Sequence, residues 1–135
     1  MDAFDADVLI YAAVDPEGRG APVRALFEQV ARGPVGIGSV LLLPELLSKP
    51  ARLGRDAEVA VLRAHLNRLL LLPTSQEIAT VAAGLGATYG LRAADSVHLA
   101  TAIVAGADRF VTNNRRDFDQ PIEEIEIAFP DTLDA

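Results

Sequence analysis

Apolar positions change their rhythm along this chain, and the change separates short strands from helices. Ala3 to Asp5 reads as a short first strand, and Val8-Leu9-Ile10-Tyr11 follows it directly. A loop rich in Pro, Gly and charge spans Asp15 to Gly20. Val23, Leu26, Phe27 and Val30 then recur at i, i+3, i+4 and i+7, the period of one helix face, and Gly33 supplies the stop. Val35-Gly36-Ile37-Gly38 reads as a strand of small residues. Ser39 is placed to cap a helix running through Leu41, Leu42, Glu45 and Leu46, with Pro44 early in it, where a missing N–H costs least. Asp56 is the expected cap of the next helix, whose face is Val59, Leu62, Leu66 and Leu69. Leu70-Leu71-Leu72 reads as a buried strand ended by Pro73. Thr74 and Glu77 have capping-box spacing ahead of a stripe of Ile78, Val81, Ala82 and Leu85. A helix from about Ala93 to Val104, a strand over Arg109 to Thr112 and an edge strand over Ile125 to Ala128 complete the pattern.

Strands alternating with helices predict an α/β domain with a parallel sheet. The 135 residues fit one domain, 1–135. Half of them are apolar, enough for a real core, which argues against disorder. Cys is absent, which excludes disulfides, thiolate metal sites and a Cys nucleophile. The acidic start lacks the basic segment of a signal peptide, and no uncharged stretch reaches the roughly 18–20 residues of a membrane span. A cytoplasmic protein without a membrane partner is the expectation.

The formal charge of −7 seems to argue against nucleic acid. Its placement changes that. Seven acids (Asp117, Asp119, Glu123, Glu124, Glu126, Asp131 and Asp134) fall in the last 19 residues, where there is no Lys or Arg. Taking them from 19 leaves 12 acids against 12 bases, so the rest of the chain is neutral.

Ligands of a parallel sheet bind beyond the carboxyl ends of its strands, and there the chain offers acids. Asp5 ends the first strand, Asp7 follows it, Glu45 lies on the helix after the second, Asp95 opens a late helix, and Asp117 follows the fourth strand. Singly, each has an ordinary explanation: Asp7 and Asp95 as helix-terminal acids, Glu45 as a surface residue, Asp117 as a loop acid. Together they imply more. Glu45 and Asp95 sit among apolar or small residues, where a lone carboxylate is expensive to desolvate. Several converging carboxylates repel one another unless a hard cation neutralises them, and Mg²⁺ or Mn²⁺ suits an all-oxygen site.

The motifs around these acids carry a resemblance. Asp5-Ala6-Asp7-Val8-Leu9-Ile10-Tyr11 resembles the opening of PIN-domain nucleases, and Ser39-Val40-Leu41 with Glu45 resembles their second acidic motif. Arg92-Ala93-Ala94-Asp95-Ser96-Val97-His98-Leu99-Ala100-Thr101-Ala102 is similar to the third and is the most specific. Val111-Thr112-Asn113-Asn114-Arg115-Arg116-Asp117-Phe118 is similar to the fourth. Within that group the pattern most resembles the VapC-type toxins of bacterial toxin–antitoxin pairs. The resemblance implies a three-layer α/β/α sandwich around a parallel sheet. It implies an acidic pocket of Asp5, Glu45, Asp95 and Asp117 that binds Mg²⁺ or Mn²⁺ and cleaves RNA as a metal-dependent endoribonuclease. It also implies a homodimer inhibited by a small cognate antitoxin. Thr112 and Asn114 match positions that line the pocket. Asp7 departs from the pattern, since Asn or Ser is commoner there, and would add a ligand or overcharge the site; Pro44 before Glu45 is a second departure.

Phosphate-binding cations should flank such a pocket. Arg92, Arg115 and Arg116 are the candidates, with Lys49, Arg52 and Arg55 after Glu45. For Lys49 and Arg52, a helix C-terminus is an equal explanation. His98, one turn after Asp95, reads as a structural histidine, and His65 as solvated. Two other functions compete: an inactive PIN-like module that only binds a partner, and a D-x-D phosphatase built on Asp5 and Asp7. The second needs a Lys, and the single one, Lys49, is poorly placed. The acidic balance thus reads as a cation site plus a solvated C-terminus, and the metal-free protein is expected to bind RNA poorly.

Overall fold

The computed structural model describes residues 1–133. Five short parallel strands form one sheet in the order β3-β2-β1-β4-β5: β1 (Asp2–Phe4), β2 (Gly36–Ser39), β3 (Leu69–Leu72), β4 (Arg109–Val111) and β5 (Glu126–Ala128). Between them run α1 (Ala6–Val14), α2 (Ala21–Glu28), α3 (Leu42–Arg52), α4 (Asp56–Leu66), α5 (Gln76–Tyr89), α6 (Ala93–Val104) and the single-turn α7 (Arg115–Phe118). A 3₁₀ turn, Pro130–Thr132, follows β5.

Successive strand residues point to opposite faces, and both faces are covered. Phe4 and Val111 enter a core with Leu9, Val23, Leu42, Leu46 and Leu62, contributed by α1 to α4. Their strand neighbours Ala3 and Phe110 enter a second core with Ile78, Leu85, Leu99 and Phe118, from α5 to α7. This is the expected three-layer α/β/α sandwich with a central parallel sheet. The chain builds outward from β1 to β3 on one side, then returns to lay β4 and β5 on the other. Their carboxyl ends therefore flank a crevice between β1 and β4, the place where open α/β sheets bind ligands.

Several helix starts differ from the sequence expectation. Asp5 itself caps α1, accepting from the Ala6 N–H at 2.8 Å, and Asp7 lies inside the first turn. Ser39 ends β2 fully buried, and its hydroxyl accepts from Leu41 N–H two residues on, so α3 begins only at Leu42. Asp56 is the first helical residue of α4, preceded by Arg55. Ser75, not Thr74, caps α5, accepting from Ile78 N–H at 3.2 Å. Leu69 leaves the α4 face and pairs with Gly36 in the sheet. Leu70 is 48% exposed, because β3 is an edge strand and not a buried one. Of the seven C-terminal acids, Asp134 lies outside the described residues.

Gly20 shows how tightly the first two helices pack. It precedes α2 with its Cα against α1, and an added Cβ would sit 2.1 Å from the Tyr11 carbonyl oxygen. The atoms it would meet are all backbone of Tyr11 and Ala12, so α1 cannot yield cheaply. Gly20→Ala is expected to cost about 2–3 kcal/mol as overpacking, read as a lowered thermal midpoint.

Candidate active site

The N-terminal turns of three helices, α1, α3 and α6, deliver acids to one cavity of about 370 Å³ at the β1–β4 crevice. Asp5, Asp7, Glu45, Arg92, Asp95 and Asn114 line it. Asp5 is 5% exposed and held on both oxygens: Oδ1 accepts from Ala6 N–H at 2.8 Å, and Oδ2 from the Thr112 hydroxyl at 2.8 Å. Thr112 is fully buried at the end of β4 and also accepts from Asn114 N–H at 3.0 Å. Asn114 caps α7: its amide oxygen accepts from Asp117 N–H at 3.2 Å, and its Nδ2 donates to Asp117 Oδ2 at 2.9 Å. Asp117 thus belongs to a helical turn rather than a loop, and its charge reaches Asp95. Asp95 occupies the first turn of α6.

Electrostatics of the cavity are those of crowded anions. Burial raises the Asp5 carboxyl, opposed by His98, and Glu45 adds to the rise. Burial and then Asp5 push Asp7 up to about 7. Asp95 is raised by burial, Asp5 and Asp117, with Arg92 and His98 opposing. Arg92, just ahead of α6, is the cationic side chain lining the cavity.

The Glu45–His98 pairing was missed by sequence reasoning. His98 Nε2 lies 2.5 Å from Glu45 Oε1, with the His98 side chain 1% exposed and that of Glu45 37% exposed. His98 shares its helix with Asp95, and Glu45 sits on α3; the i+3 spacing from Asp95 was the one signal of a shared direction. His98 Nδ1 is buried without a partner.

The other cations are placed apart. Arg115 turns away from the acids, pairing with Asp131 and lying over the Phe129 ring at 4.1 Å. Arg116 is exposed on α7. Lys49 and Arg55 line an apolar groove of about 440 Å³ with Ile10, Val14, Leu46 and Leu62, and Arg52 ends α3. His65 is half-buried, edge-on to Phe27 at 5.1 Å, not solvated, and burial lowers its pKa.

Does this donor set fit a divalent cation? Its chemistry does: the acids are all oxygen donors, and their mutual repulsion is what a cation relieves. As they stand, the acids surround the cavity without closing on one point. Among the described residues no three acids or histidines converge tightly enough to hold an ion. Thr112, His98 and Asn114 each hydrogen-bond one oxygen of a carboxylate, as outer-shell partners of ligating carboxylates do, and leave Glu45 Oε2 and Asp117 Oδ1 without a side-chain donor.

Asp7 supplies a test of the crowding. Its Oδ1 accepts from Asn113 N–H at 3.1 Å, a bond that an Asn oxygen retains. A carboxyl raised from 3.8 to about 7 favours the folded state when protonated, and that advantage is lost as pH rises from about 4 through 7. Asp7→Asn is therefore expected to stabilise the protein in EDTA at pH 8, on the order of 2 kcal/mol, and little at pH 4. Thermal melts at the two pH values check it.

A family model of the PIN domain matches residues 3–122. The chain belongs to the PIN domain family. Solved structures agree on the fold. A toxin–antitoxin complex from Klebsiella pneumoniae contains a chain 24% identical, with a TM-score of 0.74 over 96% of this chain and 98% of that one. DNA-bound VapBC from Salmonella typhimurium matches at 22% identity and TM-score 0.76, over 96% and 97% of the two chains. FitAB bound to an IR36 DNA fragment matches at 20% and 0.66, over 100% and 99%. No curated protein matches the chain. The family leaves no place for the phosphatase alternative. Among the described residues no helix is long and apolar enough to cross a membrane.

Proposed function

We propose that this PIN domain is the toxin of a toxin–antitoxin pair, a metal-dependent endoribonuclease acting in the cytoplasm as a homodimer. The observation that carries the reading is the convergence of Asp5, Asp7, Glu45 and Asp95 on one cavity, where burial and mutual repulsion raise Asp5, Asp7 and Asp95. Crowded anions in a cavity cost stability, and a site built for a cation explains why they are kept.

Asp5, Glu45, Asp95 and Asp117 would hold Mg²⁺ or Mn²⁺. When bound, the cation supplies an acidified water and neutralises charge on the phosphodiester. The chain does the positioning. Thr112 and the Ala6 N–H fix the Asp5 carboxylate, and Asn114 does the same for Asp117. His98 holds Glu45 at the cavity. Arg92 stands where an incoming phosphate would pass and offers its guanidinium as a clamp. Toxin–antitoxin neighbours support an antitoxin partner. The apolar groove between α1, α3 and α4, open beside Glu45, suits one amphipathic segment of such a partner.

An RNA cleavage assay tests the reading. Cleavage is expected with Mg²⁺ or Mn²⁺, to stop on adding EDTA, and to return with excess metal. Absence of cleavage with either metal, together with normal growth on induced expression in bacteria, would instead indicate a partner-binding module.

A further inference from the structure

A second cavity, of about 860 Å³, has none of Asp5, Glu45, Asp95 and Asp117 in its lining. Its walls include Tyr11, Asp15, Arg19, Asn113, Arg115 and Asp131. The two cavities adjoin along two chain steps. Ile10 faces the acidic cavity and Tyr11 the second; Asn114 faces the acidic cavity and Asn113 the second. A strand crossing the acids would therefore run on into this cleft.

What lines it is suited to a nucleic acid strand. Arg19 lies over the Tyr11 ring at 5.3 Å and donates to the Tyr11 hydroxyl at 3.1 Å. Among the described residues it makes no ion pair, whereas Arg24 and Arg109 are paired with Glu17 and Asp2. Arg115 is paired with Asp131, but both side chains are well exposed, at 49% and 71%. Exposed pairs of this kind contribute little, so a phosphate can displace Asp131 at small cost. Tyr11 is the aromatic face within the cleft, and the exposed Arg19 covers it.

We infer that the Tyr11–Arg19–Arg115 cleft binds the single-stranded RNA flanking the scissile phosphate, with Arg19 and Arg115 on backbone phosphates and a base stacked on Tyr11. The inference rests on the ribonuclease reading and adds a subsite to it. Phosphate contacts of this type position the strand without reading its sequence, while a stacked base tolerates every nucleotide.

The test is the salt dependence of RNA cleavage in Mn²⁺, measured as kcat/KM on a fluorescein-labelled single-stranded RNA across a NaCl series. Arg19→Gln with Arg115→Gln is expected to raise KM about tenfold or more and to flatten the slope of log kcat/KM against log salt by about 1.4, two contacts at roughly 0.7 each. The Arg19→Lys, Arg115→Lys protein keeps both charges and should keep the slope. Tyr11→Leu should raise KM about tenfold with the slope unchanged, since stacking carries no counterion. A double Gln variant with wild-type KM and slope overturns the subsite while leaving the ribonuclease reading intact. A wild-type protein that cleaves no RNA overturns the ribonuclease reading, and the subsite with it.

Discussion

Asp5→Asn is expected to cut RNA cleavage on the order of 1,000-fold, which corresponds to about 4 kcal/mol of transition-state stabilisation. The same substitution should leave the metal-free protein as stable as wild type or more so. An Asn oxygen still accepts from the Ala6 N–H, its amide nitrogen can donate to the Thr112 hydroxyl in place of the bond Asp5 accepts from it, and an amide does not suffer the burial that raises the Asp5 carboxyl. The two effects run in opposite directions, and that separates a catalytic acid from a structural one. A residue kept for folding would lose both stability and activity on substitution. Initial cleavage rates and thermal melts in EDTA, on the same preparation, read the two arms.

Thr112→Val should act mainly on stability. The hydroxyl is fully buried and used twice, as donor to Asp5 and acceptor from Asn114 N–H. Valine keeps the shape but strands that N–H and leaves a buried carboxylate with one donor fewer. A lost bond to a charged group costs about 1.5–3 kcal/mol, and an unsatisfied buried donor about 1–3. The combined loss is about 3 kcal/mol, or roughly 10 °C in thermal midpoint for a chain of this size. Thr112→Ser keeps both bonds and should recover most of it. A melt of Thr112→Val within a degree or two of wild type would show that the hydroxyl does not bind Asp5 as described.

The architecture was legible because the apolar rhythm reports burial directly. Phe4 beside Ala3 and Val111 beside Phe110 alternate between two cores, as strands buried on both faces must. The acids were legible as a set because their surroundings made each one costly alone. Boundaries were less so. Ser39, Asp56 and Thr74 all have the chemistry of helix caps, yet a cap is decided by backbone geometry that neighbouring residues settle. Ser39 spends its hydroxyl on a turn at the buried strand end, and Ser75 takes the role assigned to Thr74. Leu70 illustrates a different limit: three consecutive leucines look buried, but edge position depends on sheet order, which lies beyond local pattern.

Charged side chains were the hardest to place. Arg115 and Arg116 stand side by side ahead of Asp117, and proximity in sequence implied proximity to the pocket. The turn at α7 sends Arg115 to Asp131 and Phe129, into the adjoining cleft rather than the acidic cavity itself. Arg19 carried no motif at all; only the fold sets it beside Tyr11, next door to the acids. His98, one turn after Asp95, read as structural, and its contact with Glu45 joins two residues 53 positions apart.

The central claim is that the acids of the β1–β4 crevice form one divalent cation site and that RNA cleavage depends on it. Its most direct test is a Mn²⁺ titration followed by calorimetry and by RNA cleavage on the same protein. The account predicts coincident midpoints for binding and activity, both moved to higher Mn²⁺ by Asp95→Asn. Full cleavage in EDTA, or midpoints that Asp95→Asn leaves in place, would contradict it.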